Sequence, residues 1–309
     1  MRAVMYHYVR PNTDRPPYEY YYLDLDDFRR QLDYFEETYE LIDRDTFLSY
    51  LEGDATPASE DAILTFDDGL RDHYEWVLPE LQERNLWGLF FVSGPIKDTL
   101  LPVHRIHSML GRADPKDLAA ALDDIVDRSD VRDGRIDEFR RMYSQNDSTG
   151  SVQRFKRTLN YLVPYDRLPG IFDELEDRVS GARRIDPTEF YMTRDQVAEL
   201  SDAGMLVGGH TVSHPVLSRL STDSQREEIH QSLEFVRDVA DPPVRTFAYP
   251  YGGTEVFTET TIEILQTADC DIAFTTEAGD ISPDVLRTTP LTVPRRDCNE
   301  YEHGSASVY

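Results

Sequence analysis

The 309-residue sequence predicts an α/β fold, a barrel of parallel βα units broken by one helical insertion. Three observations predict it. Short apolar, β-branched stretches alternate with amphipathic helical ones, which is the pattern of repeated βα units. Several of the apolar stretches run directly into Asp, His or Tyr-Gly clusters, as expected where a barrel builds its site at the carboxyl ends of its strands. One long segment, from about 100 to 187, carries helical periods and no convincing strand.

Taken in order, the expected strands are 3–9, 62–66, 88–92, 206–209, 245–249 and 272–275. Helical periods lie between them at 25–39, 72–84, 222–239 and 254–267, the third with Thr222 and Asp223 as candidate caps. The insertion is rich in Asp and Arg, with Pro95 and Pro102 at one border and Pro187 at the other. The chain is therefore read as a single domain, 1–309, interrupted at about 100–187. A cluster of Tyr18, Tyr20, Tyr21 and Tyr22 follows a proline-rich turn and reads as a packed surface loop or as an aromatic platform for a sugar.

At 39% hydrophobic residues the chain can bury a substantial core. It holds no run of eighteen apolar residues, and its opening, MRAVMYHYVRP, lacks the basic start and apolar stretch of a secretion signal, so no membrane insertion and a cytoplasmic location are expected. Cys270 and Cys298 form no CxxC or Cys/His pattern and read as free thiols. Asp plus Glu number 59 against 32 Lys plus Arg, a formal net charge of −27, and the only lysines are Lys97, Lys116 and Lys156. Such a surface repels nucleic acid and anionic lipid. It suits concentrated salt, where the screening length falls to roughly 3 Å at 1 M.

Three motifs carry the chemistry. In AILTFDDGLRD an apolar strand ends in Asp67 and Asp68, followed by Gly69. Neighbouring side chains at a strand end point in different directions, so one carboxylate can bind a cation while the other stays free as a base. In GMLVGGHTVSHPVLSRLS another strand runs into His210 and His214, a spacing that on a helical turn lets both imidazoles reach one ion. Gly208 and Gly209 are expected to free that loop to approach the site. Two histidines and a carboxylate leave positions open for water and substrate. In RTFAYPYGGTEV, Pro250 sits between Tyr249 and Tyr251, and Gly252 and Gly253 allow backbone N–H groups to approach a ligand and hold an oxyanion.

In this order the three motifs resemble the polysaccharide deacetylase family, the NodB-homology carbohydrate esterases, over residues 1 to about 95 and 188 to 297. The resemblance implies a distorted (β/α) barrel that hydrolyses the N-acetyl group of a sugar or glycan with a divalent metal, usually Zn2+, with Co2+, Ni2+ or Mn2+ as alternatives. It implies Asp67 as general base, Asp68, His210 and His214 as metal ligands, and Tyr251 as the residue whose backbone N–H faces the oxyanion. Two departures stand out. Ala248 occupies the place where many members carry an arginine, and no late Leu-His motif supplies the general acid, His303 lying in an expected tail. The opening VMYHYV resembles a variant with the histidine on an N-terminal strand, which makes His7 the candidate acid. LTVPRRDCN resembles the family's arginine-bearing strand, so Arg295 or Arg296 is expected to pair with Asp67. The insertion resembles one found in members associated with surface-glycan biosynthesis. Other readings are hydrolysis of a different non-peptide C–N bond and a non-catalytic carbohydrate-binding relative. His73, His104, His107 and His230 read as structural or exposed.

Overall fold

The structure, a computed structural model, describes residues 1–12, 20–95, 99–126, 150–179 and 185–307. Tyr18 and Lys97, and parts of the expected insertion, lie outside them. The chain forms two compact units, one of residues 1–15, 22–98 and 187–307, the other of 16–21, 99–186 and 308–309.

The first unit is a parallel barrel. Its strands are β1 (Arg2–Tyr6), β5 (Asp61–Phe66), β6 (Leu89–Val92), β7 (Leu206–Gly209), β8 (Thr246–Ala248), β9 (Ile272–Ala278) and β10 (Val293–Asp297). They pair in the order β1-β10-β9-β8-β7-β6-β5, and β1 also pairs with β5 through Arg2↔Ala62 to Tyr6↔Phe66, which closes the ring. The short β4 (Glu40–Leu41) pairs only with the start of β5, outside the ring. Two further short strands, β2 (Val9–Arg10) and β3 (Leu23–Asp24), form a separate parallel pair, so the expected strand 3–9 is interrupted at His7. Every strand of β5, β6 and β7 is buried along its length, as the near-continuous apolar sequence requires for a sheet covered on both faces.

Helices α1 (Leu25–Thr38), α2 (Arg44–Glu52), α3 (Leu78–Glu83), α9 (Arg194–Asp202), α10 (Thr222–Ala240) and α11 (Glu259–Thr267) belong to this unit. The caps differ from expectation in two places. Ser221, not Thr222 or Asp223, caps α10 by accepting the Ser224 N–H. The segment 254–257 is not helical, because Thr258 and Thr261 form a reciprocal capping box that starts α11 at Glu259. Residues 71–83 are continuously helical, as expected for 72–84, with a π-helical stretch over His73–Val77 running directly into α3. One core cluster packs Tyr6, Phe28, Phe35, Phe66 and Phe90 between the barrel and its helices, and a second packs Phe47, Phe91 and Phe274. The segment after Cys298 is no loose tail, since the Tyr22 and Ser307 backbones bond each other and Gln31 Nε2 donates to the carbonyls of Cys298 and Glu302.

The described residues of 99–186 are helical, with no strand among them: α4 (Pro102–Arg112), α5 (Pro115–Ile125), α6 (Gly150–Arg157) and α7 (Leu168–Val179). The short α8 (Pro187–Phe190) returns the chain to the barrel unit. The helical unit has its own core of Ile106, Leu118, Phe155, Leu159 and Phe172. Tyr20 stacks on His107 at 4.1 Å and accepts a hydrogen bond from Lys156 Nζ, while His104 is fully buried and Tyr21 is exposed. None of the described helices is long and apolar enough to cross a membrane.

Candidate active site

Because all barrel strands run parallel, their carboxyl ends lie together at one mouth. The residues that follow them are His7 after β1, Asp67 and Asp68 after β5, His210 after β7, and Tyr249 to Tyr251 after β8. Sequence segments far apart thus meet there by topology alone.

Asp68 Oδ1 lies 3.4 Å from His210 Nε2 and 3.3 Å from His214 Nε2, and all three side chains are buried. His210 Nδ1 donates to the Ala248 carbonyl at 2.7 Å. That bond fixes the tautomer, leaving Nε2 as a lone-pair donor directed at the carboxylate oxygen, an arrangement that suits a cation held by both. Burial pulls the His210 pKa down, but the carboxylates of Asp68 and Asp67 outweigh it and raise it above the ordinary value. The group meets the donor requirements of a divalent metal with an N,N,O set.

The two histidines do not reach this position through a helical turn. The loop 210–214 is irregular, with Thr211 at φ +62° and His214 at φ +53°, both left-handed. Thr211 Oγ1 donates to the His210 carbonyl and accepts the His214 N–H at 3.1 Å, closing the turn between the two histidines. Gly208 and Gly209 are also not loop residues. Both lie inside β7, and a Cβ on Gly208 would come within 2.2 Å of Thr246 Oγ1, so its absence lets the strands and Phe91 pack.

Asp67 faces a different partner. Arg295 on β10 donates Nη1 to Oδ1 and Nη2 to Oδ2, each at 2.7 Å, and is itself fully buried. The guanidinium also donates Nε to the Thr275 carbonyl and Nη1 to Thr65 Oγ1, and it lies 5.5 Å from the Phe91 ring centre. Burial would raise the Asp67 pKa, but the charge and hydrogen bonds of Arg295 more than offset it, so the carboxyl titrates below its ordinary value. Arg296, the other expected partner, instead pairs with Asp280 and Glu300 at the surface. With Ala248 at the end of β8, the guanidinium reaches Asp67 from β10.

His7 Nε2 lies 3.9 Å from Asp67 Oδ2, with its side chain 41% exposed. Its backbone carbonyl accepts from Nε2 of His73, a fully buried ring packed against Phe66 and Phe90. Burial drives the His73 pKa down to about 4, which keeps that ring neutral. Tyr251, at φ +63°, packs its ring edge-on to His214 at 4.9 Å. Gly252 follows at φ +59°, where a Cβ would collide with Thr276, while Gly253 N–H is used internally on the Tyr251 carbonyl. Sequence reasoning missed Thr65, His73, Thr211 and Glu228 as supports of the site. Thr65 left a trace, as a hydroxyl inside an otherwise apolar strand.

Fold and site together define a parallel α/β barrel with a buried Asp-His-His group at the carboxyl ends of its strands. The family model described as polysaccharide deacetylase matches residues 179–273, a stretch that holds His210, His214 and Tyr251. Among solved structures, the chain is similar to the Streptococcus pyogenes deacetylase PplD, at 18% identity and a TM-score of 0.57 over 96% of this chain and 91% of that one. It is also similar to IcaB from Ammonifex degensii, at 19% identity and a TM-score of 0.54 over 96% and 91%. The deacetylase domain of BpsB from Bordetella bronchiseptica gives 14% identity and a TM-score of 0.53 over 96% and 94%. At these identities the likeness is one of fold. No curated protein matches the sequence.

Proposed function

We propose that the chain removes the acetyl group from an N-acetylated sugar or glycan intermediate, giving acetate and a free amine, with a divalent metal held by Asp68, His210 and His214. The observation that carries this reading is the convergence of two imidazole nitrogens, each within 3.4 Å of one carboxylate oxygen, beside a second carboxylate already committed to a buried guanidinium. Bound there, Zn2+ would polarise the acetyl carbonyl and acidify water. The remaining chemistry belongs to the protein. Asp67, held ionised by Arg295, accepts a proton from the attacking water. The Tyr251 backbone N–H stabilises the oxyanion. His7 gives a proton to the departing nitrogen, which without it is a poor leaving group.

Acetate release from a panel of N-acetylated mono- and oligosaccharides, with chelator treatment and metal add-back, tests the reading. Chelator-sensitive release restored by Zn2+, Co2+, Ni2+ or Mn2+ is expected. Release that survives exhaustive chelation would remove the metal from the reaction, and no release from any N-acetyl sugar would redirect the site to another C–N bond. The surface charge supports a further proposal, that the protein works at high salt in a cytoplasm that accumulates it.

A further inference from the structure

Loop 210–214 carries two of the three candidate ligands on a backbone with two non-glycine residues in the left-handed region. Each such residue is strained and persists only when its surroundings over-determine it. Thr211 supplies one restraint from within the loop. Ser93 Oγ and the Gly94 N–H donate to the His210 and Thr211 carbonyls, and further restraints come from α10. Glu228 Oε2 accepts both the Val212 and the Ser213 N–H, each at 2.8 Å, and its Oε1 accepts the Ser213 hydroxyl. One helical turn later, Ser232 Oγ accepts the His210 N–H at 3.1 Å from a fully buried position. Residues four apart share a helix face, so one face of α10 presents a carboxylate and a hydroxyl to three amides of the loop, those of His210, Val212 and Ser213. A carboxylate that accepts two amides and a hydroxyl forms charge-assisted bonds, stronger than neutral ones, and it satisfies the amides of a turn too tight to bond them internally.

From this geometry we infer that Glu228 is a positioning residue for the metal centre: it braces the loop between His210 and His214 so that both Nε2 atoms meet Asp68 before any ion arrives. The inference rests on the proposed metal site. Supporting partners of ligand side chains commonly carry a 10–100-fold share of metal affinity. Glu228 acts through backbone amides instead, which makes its contribution one of loop geometry rather than ligand basicity.

Zn2+ titration of the chelated full chain by calorimetry, with thermal melting of each metal-free form, tests it. Glu228→Ala is expected to weaken Zn2+ binding roughly 10–100-fold. Glu228→Gln, whose amide oxygen can accept the two N–H groups, should lose less than about threefold if acceptor geometry rather than charge is what matters. Glu227→Gln removes the same charge from the exposed neighbour and should leave binding unchanged. If Glu228→Ala fails to fold, Glu228→Asp, a carboxylate one methylene too short, takes its place with the same expected weakening. Wild-type affinity in the folded Ala or Asp variant overturns the inference, as does an equal loss in Glu227→Gln. If the unaltered chain binds no Zn2+, the reading of the site itself falls and the inference falls with it. A normal unaltered chain with unaffected variants defeats the brace alone.

Discussion

Arg295 grips Asp67 with two parallel hydrogen bonds of 2.7 Å, although the two residues stand 228 positions apart, and neither is more than 2% exposed. The guanidinium has further acceptors in Thr65 and Thr275, so the pair is satisfied on both sides. Removing one partner of such a pair strands the other charge in the barrel interior.

Arg295→Met is therefore expected to cost about 3–5 kcal/mol of stability at neutral pH. The sign with pH follows from the direction of the Asp67 shift. A carboxyl depressed in the folded state stabilises the fold above its ordinary value of 3.8, and that contribution is lost as pH falls through the depressed value. The gap in melting temperature between parent and variant should accordingly narrow below about pH 4. A gap that stays constant between pH 7 and pH 3 would show that the pair contributes through packing rather than charge.

Asp67→Asn and His210→Ala separate the two carboxylates by role. The first keeps the Asp68, His210 and His214 set intact, so metal content should remain while turnover falls by at least ~100-fold. The second removes a proposed ligand, and metal should be lost together with activity. Metal loss in Asp67→Asn would exchange the roles of the aspartates, and an active, fully loaded His210→Ala would take that histidine out of the ligand set.

His7→Ala should lower kcat by roughly 10²–10⁴ with little change in KM, since a proton to the departing amine is needed only in the transition state. His73→Phe, which keeps the ring packing but not the bond to the His7 carbonyl, should lower kcat in the same direction by less. Unchanged turnover in His7→Ala would dismiss it as the acid.

The net charge of −27 predicts a melting temperature that climbs between dilute buffer and multimolar KCl, as screening relieves repulsion among the surplus carboxylates. A flat or falling melting curve rejects the high-salt proposal.

The sequence made the barrel readable wherever a strand is buried on both faces. AILTF, LFFV and LVGG are apolar runs that tertiary contacts have no reason to override, and each is a strand. β10 was harder, because VPRRD has no apolar period. Its central arginine is inside only because a carboxylate far away in sequence is there to receive it. β4 is two residues long and leaves no pattern at all. Within the site, side chains at strand ends were legible from residue type and spacing. The turn that carries His210 and His214 was read as helical, since left-handed backbone at threonine and histidine has no signature in composition. Glu228 was invisible for a related reason: in an acidic chain, one glutamate in the run REE on an amphipathic helix looks like any solvated neighbour.

Closure of the ring through β1 has a consequence for the order of events during synthesis. Strand β1 is made first and β10 nearly last, yet each lies beside the other, and β1 also borders β5. A nascent chain that has emerged only as far as β9 holds the Asp67 carboxylate without the guanidinium that lets it ionise in an apolar interior, so the buried ion pair forms late and all at once, when the last strand slots into place.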